Sequence, residues 1–80
     1  MKAWQLIKRY GWTQHWAGNT KEGFCIMGAV MKAYRSVEDR YELYDRIYKE
    51  TGKHTSIWND SPVRTKKEVI ELLKQVEAKL

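Results

Sequence analysis

Apolar residues recur at helical spacing in four stretches of the chain, and two stretches between them break that rhythm. In "MKAWQLIKRYG", Trp4, Ile7 and Tyr10 fall three apart and stop at Gly11, which predicts a short helix over about residues 2–10. "FCIMGAVMKAY", residues 24–34, is apolar on every side except at Lys32 and predicts a buried helix. Gly28 and Ala29 in its middle would admit a neighbouring backbone or ring, offsetting glycine's cost in a helix of about 1 kcal/mol. "SVEDRYELYDRIYKETG" opens with a predicted Ser36 cap and Asp39 three residues on, and ends at Gly52. It sets Val37, Tyr41, Tyr44 and Tyr48 on one stripe with Ile47 beside it, while Glu42 to Arg46 and Asp45 to Lys49 suit an exposed outer face. The clearest helix signal is the capping box "TKKE", Thr65 with Glu68, followed by Val69, Leu72, Leu73, Val76 and Leu80 on one face.

Between the first two helices the pattern changes to the alternation Trp12, Gln14, Trp16 and then "GN". This predicts an irregular loop or a short two-stranded ribbon turning at Gly18 and Asn19. The second break, "KHTSIWNDSPV", carries two hydroxyl residues, an Asn-Asp pair and Pro62, and is read as non-helical. The expected fold class is therefore mainly α: a small compact four-helix domain with two irregular segments, one of them suited to a short β-ribbon. No repeat, linker or low-complexity tract divides residues 1–80, which predicts a single helical domain.

Size sharpens the meaning of the aromatics. A chain of 80 residues buries only about 60 to 65% of its unfolded surface, so each of the four tryptophans is first a core candidate. A single cysteine forms no internal disulfide, and there is no run of about 18 apolar residues, so a cytoplasmic protein without membrane contact is expected. The net charge of +5 is uneven: residues 1–22 hold four cations against one carboxylate, residues 23–60 balance, and residues 61–80 hold five against three. A modest basic excess at both ends favours anionic partners without amounting to a dedicated DNA-binding stripe.

Catalytic and metal chemistry find little support. Cys25, His15 and His54 show none of the paired spacings of metal ligands, so no metal is expected, and no cofactor either. Cys25, early in an apolar helix, reads as a small buried hydrophobe with an inert thiol rather than a nucleophile. Glycine-rich phosphate loops are absent. Asn59 and Asp60 in "WNDSP" read first as turn formers, because their side chains bond readily to nearby backbone. The functional alternative is that Trp58 offers a flat face beside an amide and a carboxylate, able to stack on a ring and bond its edge. Lys66 and Lys67 stand at a helix start, where free amides also attract anions. Trp12, Gln14 and Trp16 offer similar chemistry, and an extended backbone would put them on one side with His15 on the other. Trp12, directly after a helix end, is the one expected to be partly core; Gln14 and Trp16 are expected to stay free.

The motifs Gly11, Trp12 and Gln14; Gly23, Cys25, Gly28 and Ala29; and Trp58, Asn59, Asp60 and Thr65 stand in this order across most of the chain. In this the sequence resembles a group of small, functionally uncharacterised proteins of bacteria and bacteriophages. The resemblance implies a phage or bacterial accessory protein, and implies that the two irregular segments meet over the buried helix; it brings no activity with it. "SPVRT" departs from the group's more usual spacer.

The leading functional expectation is a non-enzymatic binding module with a pocket walled by Trp12, Trp16 and Trp58. Gln14, Asn59 and Asp60 would supply hydrogen bonds, and Arg64, Lys66 and Lys67 positive charge, a set suited to a small nucleotide-like anion. In a phage, such a module could serve anti-defence by sequestering a host signalling nucleotide, and so small a chain would build the site as a homo-oligomer. The alternative is an inhibitor that binds a host protein or nucleic acid through basic patches including Lys8, Arg9, Lys66 and Lys67. An enzyme using Cys25 is the third reading.

Overall fold

The computed structural model describes Met1–Leu80 and contains α1 (Ala3–Tyr10), β1 (Gly18–Asn19), β2 (Gly23–Phe24), α2 (Ile26–Ala33), α3 (Val37–Thr51), α4 (Thr55–Asn59) and α5 (Lys66–Glu77). The four longer helices match the four predicted. The fifth, α4, is a correction: its five residues lie in the stretch read as non-helical, too short to show periodicity and begun by the hydroxyl residues that suggested a turn. The ribbon exists, with Gly18 opposite Phe24 and Asn19 opposite Gly23, but it turns over residues 20–22 rather than at Gly18 and Asn19. There Asn19 Oδ1 accepts the amides of Lys21 and Glu22, an Asx turn.

The core gathers Ala3, Leu6 and Ile7 of α1, Phe24, Ile26, Ala29 and Val30 around α2, Leu43 and Ile47 of α3, and Val69, Leu72, Leu73 and Val76 of α5. Helix α1 packs on both α2 and α5. On α3 the buried line runs through Leu43 and Ile47, and Tyr41, from the predicted stripe, is 67% exposed. Aliphatic side chains carry no hydroxyl that must find a partner, so they take the inward positions, while Tyr41 and Tyr48 are exposed and Tyr44 packs at the edge of the core. Leu80 falls beyond the end of α5 and is exposed.

Helix α2 is less buried than its composition suggested. Met27 and Met31 are exposed on one side of it, while Ile26, Gly28, Ala29 and Val30 are buried. Gly28 provides the close approach expected of it: a Cβ there would stand 1.9 Å from the carbonyl oxygen of Ala17, so the 14–17 segment rests directly on the helix. The same carbonyl accepts the N–H of Cys25 at 3.2 Å.

One carboxylate that sequence reading did not single out closes the core. Glu77, 2% exposed, accepts the backbone N–H groups of Ala3 (2.8 Å) and Trp4 (2.9 Å) at the start of α1, and the hydroxyl of Tyr34. It caps α1 from the far end of the chain, satisfying two amides that a helix start leaves unpaired. Burial, then the bond to Glu77 and its negative charge, push the Tyr34 hydroxyl above the ordinary tyrosine range.

Candidate functional site

The two irregular segments meet at the start of α2, and the residue that joins them is Asn59. Its side chain is 1% exposed and uses its full hydrogen-bonding capacity: Oδ1 accepts Trp12 Nε1–H (2.8 Å) and the N–H of Ile26 (3.1 Å), and Nδ2 donates to the Thr13 carbonyl (3.1 Å) and to Asp60 Oδ1 (2.9 Å). Gln14 completes the clasp, its Nε2 donating to the carbonyls of Asn59 (3.0 Å) and Ser61 (2.8 Å). Gln14 is thus committed rather than free, and Trp12 is half-buried against the core as expected.

Backbone extension ends at Thr13, which pairs with Phe24, so the predicted alternation does not reach Trp16. The chain bends over Gln14–Trp16, with His15 at φ +73°, a conformation rare outside glycine. Asp60 holds that bend by accepting the His15 N–H at 2.9 Å on Oδ1, and its Oδ2 faces His15 Nδ1 at 3.6 Å. The consequence is that His15 and Trp16 turn toward the same space, away from Trp12 and Gln14.

That space is a cleft of about 260 Å³ between the bend, the first turns of α2, and α4. Trp16, 47% exposed, Met27 and Met31 form its apolar wall; Cys25, His15, Ser56, Asn59 and Asp60 form its polar side. Of the nine expected site residues, Trp16, Asn59 and Asp60 line it. Trp58 does not, because the Arg64 guanidinium lies 3.8 Å from its ring centre while Arg64 Nε donates to the Trp58 carbonyl and Nη1 to Glu68. Lys66 and Lys67 are exposed at the start of α5, where the Thr65 hydroxyl accepts the Glu68 N–H and the Glu68 carboxylate accepts the Thr65 N–H. The Thr65 hydroxyl, donating to Glu68 Oε1 at 3.1 Å, then the Thr65 N–H and the charge of Arg64 hold the Glu68 carboxyl below its usual range, so a negative group already occupies this helix start.

Cys25 is the N-cap of α2, half-exposed, with its sulfur accepting the Gly28 N–H at 3.3 Å, which corrects the reading of a buried core thiol. The reason is local: α2 starts two residues after the apolar run begins, and the second position of that run caps it. Although Cys25, His15 and Asp60 share the cleft, no three His, Cys, Asp or Glu side chains lie close enough together to hold a metal ion. Met27, Met31 and Ser56 escaped the sequence reading, and His15 was weighed there only outside the binding set; the methionines, four apart, were the legible signal, since that spacing puts them on one side of α2.

No helix is long and apolar enough to cross a membrane. Neither the curated proteins nor the solved structures contain a match to the chain. A family model described as "family of unknown function (DUF6197)" matches residues 1–79, and the chain belongs to that family.

Proposed function

We propose that this protein is a non-enzymatic binding module whose cleft takes one flat, nitrogen-bearing ring of a small ligand, a nucleobase or a similar heterocycle. The observation that carries the reading is the pairing of a half-exposed indole and two methionines with the Asp60 carboxylate at one mouth. Trp16 and the thioethers offer an apolar, polarisable face for a ring. Asp60 Oδ2 makes no hydrogen bond and keeps acceptor capacity for a ring N–H or exocyclic amine, a charge-assisted contact. At about 260 Å³ the cleft is smaller than the roughly 300–1,000 Å³ of drug-sized pockets, so one ring fits and the rest of the ligand stays outside.

No lysine or arginine lines the cleft, so the positive charge expected from Arg64, Lys66 and Lys67 does not bear on a ring held there. An anionic tail instead leaves past Ser56, clear of the Asp60 carboxylate, toward Lys53 in the adjoining hollow. The bacteriophage setting implied by the motifs, a cytoplasmic location and a symmetric homo-oligomer belong to the same proposal, with capture of a host signalling nucleotide as its anti-defence use.

The test is calorimetric titration with matched free bases, nucleosides and nucleotides, alongside native mass spectrometry for oligomeric state. Binding that is lost in Trp16→Ala and Asp60→Asn but kept in Lys66→Ala/Lys67→Ala supports the cleft. Absence of heat from every ligand class, or binding indifferent to Trp16→Ala, overturns it.

A further inference from the structure

The two basic ends of the sequence converge in space, because α1 and α5 pack side by side. Where they meet, Trp4 is half-buried against the core, with Lys74 Nζ 4.6 Å and Lys8 Nζ 6.0 Å from its ring centre. Beside it opens a hollow of about 520 Å³ lined by Met1, Trp4, Gln5, Lys8 and Arg9, with no acidic residue on its wall. The carboxylate of Glu77 lies behind Trp4, bonded to its backbone N–H and 2% exposed, so its charge is turned inward. Glu71 stands three residues before Lys74 on α5 and is exposed. No residue lines both this hollow and the cleft at Trp16.

We infer that the α1–α5 face is a contact surface for single-stranded nucleic acid, with one base resting on the Trp4 indole and flanking phosphates at Lys8, Arg9 and Lys74. Single strands alternate a flat ring with a negative charge, and an indole flanked by Lys8 and Lys74, with Arg9 over the neighbouring Tyr10 ring at 5.5 Å and lining the same hollow, repeats that pattern. An acidic protein surface would use the cations and leave the indole without a partner. An anionic lipid surface would call for further apolar side chains on the outer face of α1, whereas Leu6 and Ile7 point into the core.

The experiment is fluorescence anisotropy of a labelled 20-mer of deoxythymidine with the full chain, repeated over a salt series. Three neutralised phosphates predict a log–log salt slope of about −2. Trp4→Leu, which keeps an apolar contact with the core, should weaken binding about tenfold, and Lys8→Glu/Lys74→Glu should abolish it, each with unchanged circular dichroism. Duplex DNA, polyglutamate and phosphatidylserine vesicles are the competitors. Absence of binding at low salt, equal competition by duplex or polyglutamate, preferential capture by vesicles, or an unchanged affinity in folded Trp4→Leu each overturns the inference.

Discussion

Replacing Asn59 by alanine removes four hydrogen bonds at once and separates the two segments that it joins. The four partners are not equally affected. Ile26 is fully buried, so its N–H is stranded, and the half-buried Trp12 Nε1–H is partly so, at about 1–3 kcal/mol for each buried orphan. Thr13 O and Asp60 Oδ1 lie nearer to water, and Asp60 keeps the His15 N–H. The expected cost is therefore about 3–5 kcal/mol, against a total of about 4–12 kcal/mol for 80 residues. Each kcal/mol lowers Tm by about 4–8 °C in a domain of this size, so Asn59→Ala sits near its unfolding limit at ordinary temperature. Urea titration followed by tryptophan fluorescence reads this directly, as a fall in midpoint at constant slope. Asn59→Asp is the sharper companion. It keeps the acceptor but puts a second carboxylate oxygen where Nδ2 met Asp60 Oδ1 at 2.9 Å. The new group's pKa is raised in the fold, so stability is present when it is protonated and is lost as pH rises through the carboxylate range, around pH 4 and above. A cost below about 1 kcal/mol for alanine, or a pH-independent penalty for aspartate, would refute this account of the clasp.

Three further outcomes follow from single contacts. Gly28→Ala, which raises helix propensity by about 1 kcal/mol, should nevertheless destabilise the protein by about 3 kcal/mol or more, because the Ala17 backbone must move and the Cys25–Ala17 bond is strained; thermal melting checks the sign. Thr55→Val should be neutral or raise stability by up to about 1 kcal/mol, since Thr55 Oγ1 is buried without a hydrogen-bond partner; chemical denaturation measures it. Tyr34, with its pKa raised by burial and by Glu77, contributes stability that is complete below the ordinary tyrosine value near 10 and declines as pH climbs beyond it. Tyr34→Phe should lose about 1.5–3 kcal/mol at neutral pH and flatten that alkaline decline, a pattern visible in unfolding midpoints measured from pH 8 to 11.

The helices were legible because their signals are local. Thr65 with Glu68 and Ser36 with Asp39 form the cap contacts that their spacing implied, and Val69, Leu72, Leu73 and Val76 are buried together. Helix α4 was not, since one turn carries no period. The clasp was half legible: Trp12, Gln14, Asn59 and Asp60 stood out as unusual side chains, but amides and carboxylates look alike in sequence whether they face a ligand or each other. Only the fold shows that Asn59 is committed to Trp12, 47 residues away. Glu77 left one trace, a carboxylate next to Val76 and four residues after Leu73, on the apolar side of α5. Cys25 misled because a cysteine at the edge of an apolar run suits a core and a helix cap equally well.

The bond from Glu77 to the amides of Ala3 and Trp4 also orders events in time. On the ribosome, α1 emerges before α5, and its cap arrives 74 residues after Ala3. At about 5–20 residues per second the helix start waits several seconds for its partner, and with it waits the side of the core that α5 covers. Nascent chains shorter than Glu77 should therefore remain open to proteases, and protection should appear abruptly once α5 clears the exit tunnel.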